Sequence, residues 1–257
     1  MRIGLLGHTV IDTVVGPDGA EIRRLGGTPL YARRAVEALG EDCVVVTRGA
    51  DPGNAVVIPG GPAYDSRLDH RDGTRQVLAR FGLPFSVTDV EEYVLPAVSG
   101  CEWLHLGSQG ASDFPPETIA ALAAAGHRLC LDGQGPARGS EPGPVRLRPF
   151  PPGSIAGVAI LKLNHREAVA SAGERLDAEA LLGLGAPEVC VTMGADGVLT
   201  ATSDGVVRVP GTGAGTYPDP TGAGDSFAAA YVLARARGVP AAVAAAEAEA
   251  ATDRLYL

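Results

Sequence analysis

Short apolar runs recur along this chain, and stretches with helical spacing lie between several of them. Ile3–Gly7, Cys43–Thr47, Trp103–Leu106, Arg128–Asp132, Val158–Leu163 and Val189–Met193 read as strands. Pro29–Leu39, closed by Gly40, and Pro116–Ala125 read as helices among them. Such alternation predicts an α/β chain with a mostly parallel sheet covered on both faces. Val198–Ala201 and Val206–Val209 add strands, and Ala223–Arg237 and Pro240–Ala251 add two closing helices. Ile11–Val15 is β-branched and runs into a Pro-Asp-Gly turn at Pro17–Gly19, while Arg67–Arg80 reads as an exposed hairpin around Asp72-Gly73. Gly133–Gly153, dense in proline and glycine, reads as a surface loop.

With 257 residues, no internal repeat and no shift of composition, the chain suits one α/β domain. A formal charge of −9 argues against nucleic acid or an anionic membrane surface as the main partner. Lys162 is the only lysine. Cys43, Cys101, Cys130 and Cys190 lie far apart in or beside apolar runs, without Cys-x-x-Cys spacing, and read as buried free thiols. The five histidines lack metal-ligand spacing and read as surface or capping residues. The first apolar run reads as a strand and not a signal peptide, and no run reaches transmembrane length, so a reducing cytoplasm is the expected setting.

The chemistry concentrates in Asp219-Pro-Thr-Gly-Ala-Gly-Asp-Ser-Phe227, which leads into the alanine-rich Ala228–Arg237. A glycine-rich turn opening onto a helix offers unpaired amides and the positive end of the helix dipole, which suits a phosphate. Asp225, in the same first turn, lies where it can orient a nucleophilic hydroxyl, so the pair suggests phosphoryl transfer to an alcohol. Lys162 follows Leu161, so no Walker A loop exists, and no Gly-x-Gly-x-x-Gly fingerprint follows the first strand. Asn164 with Glu167 three residues on forms a potential capping box, a structural device.

This string resembles the C-terminal signature of the ribokinase-like (PfkB type) carbohydrate kinases. Other elements agree in order: Gly26-Gly27 with Ala32 and Leu39-Gly40, Asn164-His-Arg-Glu167, Val191-Thr-Met-Gly194-Ala-Asp-Gly197, and Asp12 after the first strand. The resemblance implies a ribokinase-like α/β fold with a small β lid, built from about residues 11–24 and 67–80. It implies an ATP- and Mg²⁺-dependent kinase acting on a small polyol. Asp225 would be the base, and the amides of Gly222, Ala223 and Gly224 the anion hole. Asp219, Thr192, Gly194 and Gly197 would border the nucleotide. Asn164 and Glu167 would organise Mg²⁺ through water, whether or not they also cap a helix. Asp12, Gly26, Gly27 and Thr28 would face the acceptor.

Gln109 and Gln134 follow predicted strands, where open α/β sheets bind ligands, and are further acceptor contacts. Val10 and Thr28-Pro-Leu-Tyr31 depart from ribokinase itself, and Gly-Gly-Thr-x-x-Tyr-Ala is closer to the cyclitol kinases and less-characterised sugar kinases. The last helical segment stops soon after Ala251, which leaves the nucleotide preference open. A nucleoside kinase of the same fold and a non-catalytic sugar- or nucleotide-binding protein are the alternatives. Lid strands with exposed edges would favour a homodimer.

Overall fold

The computed structural model describes residues 1–16, 18–69, 71, 75–151, 153–212, 217 and 219–257. Pro17 and the Asp72-Gly73 turn lie outside the described residues. The strands run β1 (Arg2–His8), β2 (Val10–Val15), β3 (Glu21–Gly26), β4 (Asp42–Arg48), β5 (Val56–Ile58), β6 (Tyr64–Asp69) and β7 (Arg75–Arg80). They continue with β8 (Trp103–Gly107), β9 (Arg128–Asp132), β10 (Gly143–Pro144), β11 (Ile160–Asn164), β12 (Glu188–Thr192), β13 (Val198–Thr202) and β14 (Gly205–Val209). Helices are α1 (Thr28–Ala38), α2 (Val87–Asp89), α3 (Leu95–Ala97), α4 (Pro116–Ala124), α5 (His165–Ala172), α6 (Ala178–Leu182), α7 (Ala223–Ala236) and α8 (Ala241–Tyr256). A π-helical turn, Val90–Val94, joins α2 to α3.

Nine strands form one sheet in the order β14-β13-β12-β11-β9-β8-β1-β4-β5. All neighbours are parallel except the β12–β13 and β13–β14 pairs, so the expected α/β architecture is present. Strand parity sorts the core. Leu6, Leu129, Leu131, Leu161, Leu163, Val189 and Val191 join one cluster with Ile119, Ala168 and Leu181 of α4, α5 and α6. Ile3, Leu5, Trp103, Cys130, Ile160 and Cys190 join the other, with α1, α7 and α8. That second face is built from small groups: the alanines of α7 and α8 meet two thiols, which brings helix backbones close to the sheet. The four cysteines are free, and all but the half-buried Cys43 are buried.

A second, five-stranded sheet in the order β10-β7-β6-β2-β3 contains both segments expected to form the lid. Its β2 leaves β1 after a single residue, Thr9, which ties this sheet to the carboxyl edge of the large one.

The histidine expectation is corrected. His8 and His105 are fully buried, because the strand alternation that buries Leu6 and Trp103 carries these side chains inward as well. His105 finds no hydrogen-bond partner among the described residues, and burial lowers its pKa to about 4, so it is neutral. His127 does cap, through Nδ1 to the Cys101 carbonyl oxygen at 2.8 Å. No helix among the described residues is long and apolar enough to cross a membrane.

Candidate active site

The parallel strands β1, β8, β9, β11 and β12 share one carboxyl edge, and β1 stands between β4 and β8, where the chain order departs in two directions. Ligands of open α/β sheets bind at such a point. Gln109 and Gln134 follow β8 and β9 there, Asn164 ends β11 and Thr192 ends β12. The amino end of α7 meets the same edge.

Gly222 precedes α7 with φ 84° and ψ 0°, the left-handed conformation. A Cβ on it would lie 2.1 Å from Tyr31 Cγ, so both backbone and packing demand glycine. Asp219 turns the chain into this bend: its Oδ1 accepts from the Thr221 amide at 3.0 Å, and its Oδ2 accepts from Arg24 Nη1 at 2.6 Å. Burial alone would raise this carboxyl, but those hydrogen bonds hold it down at about 2. In the first turn of α7 the Ala223 amide donates to the Pro220 carbonyl at 3.1 Å. The Gly224 amide, like other first-turn amides, has no intrahelical acceptor. Gly222→Ala is expected to cost about 2 kcal/mol or more in a denaturation experiment, since a left-handed alanine costs about 1–2 kcal/mol before the clash with Tyr31.

Asp225 is partly exposed, and its Oδ1 accepts the hydroxyl of Thr28, the first residue of α1. Burial first, and then the charge of Asp132, push its pKa up to about 7. Beneath it lies a buried pair that the sequence reading missed. Lys162 and Asp132 are register neighbours on β11 and β9, and Lys162 Nζ donates to Asp132 Oδ2 at 3.2 Å. Burial opposes the ammonium charge, but Asp132, Glu167 and Asp225 hold Lys162 protonated well above the ordinary lysine range. A Cβ on Gly224 would stand 2.7 Å from Nζ, so a glycine there admits the ammonium against the helix start. Its charge adds to the positive end of the α7 dipole. The signal in the sequence was a lysine inside an apolar strand, two residues before its end, beside a strand ending in Asp132.

The Asn164–Glu167 capping box is formed: Asn164 Oδ1 accepts the Glu167 amide and Glu167 Oε2 accepts the Asn164 amide, each at 2.9 Å. Glu167 is buried, and burial followed by the charge of Asp132 raises its carboxyl. Among the described residues no three His, Cys, Asp or Glu side chains converge as direct metal ligands. Glu167 and Asp225 each feel the charge of Asp132, and a cation held nearby through its water shell would fit this acidic surrounding. Thr192 is the register neighbour of Asn164. Gly194 has φ 58° and open space where a side chain would be, whereas a Cβ on Gly197 would strike the β14 backbone at Val209. Gly194 thus faces outward, and Gly197 serves the hairpin.

On the other side stands Asp12 on β2, paired with Arg24 of β3 and Ser66 of β6. Burial raises its carboxyl against the opposing Ser66 hydrogen bond. A Cβ on Gly26 would sit 2.4 Å from Asp12 Oδ2, so the glycine clears room for that carboxyl, and Gly27, at φ 97°, starts α1. Gln109 Oε1 accepts from Gln134 Nε2 at 2.9 Å, which joins the two amides in one cluster.

Residues 149–252 match the family model for the pfkB family of carbohydrate kinases. A cytidine kinase of Thermococcus kodakarensis is 27% identical over 269 residues, spanning 92% of this chain and 89% of that protein. A pyrophosphate-dependent kinase in the ribokinase family, solved with a pyrophosphate analogue and myo-inositol, superposes with a TM-score of 0.84 at 20% identity, covering 100% of this chain and 95% of the other. Arabidopsis thaliana ribokinase, solved with ribose and ATP, superposes with a TM-score of 0.74 at 19% identity, covering 98% and 91%. Residues 149–252 thus resemble the PfkB carbohydrate kinases, the chain as a whole has the ribokinase-like fold, and these likenesses together indicate a phosphotransferase.

Proposed function

We propose that the protein transfers the γ-phosphoryl group of ATP to a hydroxyl of a small sugar or cyclitol. The observation that carries this reading is the position of Asp225: a carboxyl of raised pKa, partly exposed, at the amino end of α7 above a buried lysine. A hydroxyl brought to Asp225 would lose its proton to that carboxylate as the oxygen attacks phosphorus. The amides of Gly222 and Gly224 would receive the charge on the transferred group, largely by positioning and preorganised dipoles. The Ala223 amide, expected to join them, is engaged by the Pro220 carbonyl. A hydrated Mg²⁺ near Asn164 and Glu167 would supply neutralising charge to the donor oxygens when bound. Thr192, Gly194 and Asp219 would border the donor, while Gly197, packed against the β14 backbone, would act only by shaping the hairpin.

Asp12, Gln109 and Gln134 supply hydrogen-bonding groups for the acceptor, as a polyhydroxylated ring requires. The five-stranded sheet would act as the lid, with Arg24 linking its β3 to the phosphate turn at Asp219, so that closure excludes water. Its edge strand β3, with Ile22 63% exposed, is the surface we assign to pairing with a second copy.

A second acceptor reading, a nucleoside, is favoured by the cytidine kinase relative, and the pyrophosphate-dependent structural neighbour adds pyrophosphate as a second donor to test. The test is a turnover panel crossing ATP and pyrophosphate with sugars, cyclitols and nucleosides. The expected result is ATP-dependent phosphorylation of a sugar or cyclitol. Exclusive use of nucleosides would replace the acceptor assignment, and failure of every acceptor would remove the proposed reaction.

A further inference from the structure

The large sheet's carboxyl edge holds a cation that the reaction outlined above leaves unused. Arg138, in the loop after β9, is only 7% exposed. Its guanidinium donates to neutral amide oxygens: Nη2 to Gln76 Oε1 at 2.9 Å and Nη1 to Gln109 Oε1 at 3.5 Å. Its Nε is buried without an acceptor among the described residues. The other buried cations differ, because Lys162 contacts Asp132 and Arg48 contacts Asp89. A buried guanidinium without a carboxylate in contact is costly. Here Glu167, Asp132, Asp225 and Asp113 offset the charge only from beyond hydrogen-bond distance, which leaves the N–H groups of Arg138 open to a charged ligand.

The surroundings of Arg138 point the same way. It lines a cavity of about 250 Å³ together with Phe81, Arg146 and Arg148. Glu141 is the one acidic residue lining that cavity, against three arginines. Arg146 and Arg148 form no ion pair among the described residues. In a chain of net charge −9 this is an unusual concentration of unpaired positive charge. Arg138 is also part of the acceptor cluster, since its partner Gln109 is bonded to Gln134. Its charge lowers the carboxyls of both Asp12 and Asp225, which puts it within electrostatic reach of both ends of the candidate acceptor site.

We propose that the acceptor carries an anionic substituent, a phosphate or a carboxylate, and that Arg138 binds it, with Arg146 and Arg148 lining the same cavity. A planar guanidinium with a free N–H is suited to either oxyanion. An acceptor anchored there would direct its hydroxyls towards Asp12 and Asp225. The inference rests on reading this site as a kinase acceptor pocket.

The test is steady-state kinetics on the full chain with matched acceptors: ribose against ribose 5-phosphate, myo-inositol against its 1-phosphate, and sorbitol against gluconate. The expected result is a preference of about 10- to 100-fold in kcat/KM for the anionic member of at least one pair, the size of one charged hydrogen bond. The phosphate and carboxylate pairs separate the two sources of charge. Arg138→Gln should bring that preference close to 1, mainly through KM, and Arg138→Lys should keep part of it. A purely structural role would lower turnover of both members and leave their ratio intact, which would overturn the proposal. Preference of the unmodified protein for the neutral member of every pair would overturn it without using any variant, and would leave the kinase reading standing. Phosphorylation of no acceptor at all would remove the kinase reading and this inference with it.

Discussion

Asp225→Asn should lower kcat by about 10²–10⁴-fold, the usual contribution of a positioned base, and should also make the protein more stable above neutral pH. Both effects come from one carboxyl, whose pKa burial and Asp132 push up to about 7. Below the ordinary aspartate value of 3.8 the group is protonated folded or unfolded and contributes nothing. As pH rises, the unfolded chain ionises first, so the folded state loses stability progressively, and the cost is complete above about 7. Asparagine removes that cost. Thermal melts at pH 8 and pH 4 should therefore show a higher Tm for the variant only at the higher pH. Catalysis has the opposite sign, because the base works ionised: kcat should fall as pH drops below about 7 and should be nearly flat above it. An acid limb far below 7, or a variant with near-normal turnover, would remove Asp225 from the role of base.

Lys162→Met carries the second large effect. The ammonium and Asp132 are each about 6% exposed, so methionine would leave a buried carboxylate without its partner. Breaking such a pair costs about 3–5 kcal/mol, readable by chemical denaturation. Lys162 also lowers the Asp225 carboxyl, so whatever activity survives should show its acid limb displaced to higher pH. Asp132→Asn alone should displace it the other way, because Asp132 raises the same carboxyl. The double variant should lose less stability than the two single changes added together, since it removes both charges of the pair. Full additivity would mean that the pair is not coupled.

The central strands were legible because their alternation is undiluted: residues such as Leu161 and Leu163 face one helix layer, and Ile160 faces the other. The edge strand β3 was not, since Glu-Ile-Arg-Arg-Leu-Gly pairs on one side only and needs little apolar content. The helical run around Val90–Val94 was hidden by its β-branched residues and by Pro96. In the site, Asp225, Gly222 and Thr28 were legible because their chemistry is contained in contiguous strings. Arg138 and Lys162 were not. Their meaning depends on register and burial, on Asp132 standing beside Lys162 and on Gln76 of a separate sheet reaching Arg138. The buried His8 and His105 were misjudged for a related reason: residue type was given more weight than strand parity.

Because the chain's one ε-amine is sealed between sheet and helix, acylating reagents should spare it while the fold persists. Its modification, followed by mass spectrometry of the peptide that contains residue 162, would then count openings of the protein's centre directly. Ligands that tighten the site should slow that labelling, which gives a screen for acceptors that needs no knowledge of the product.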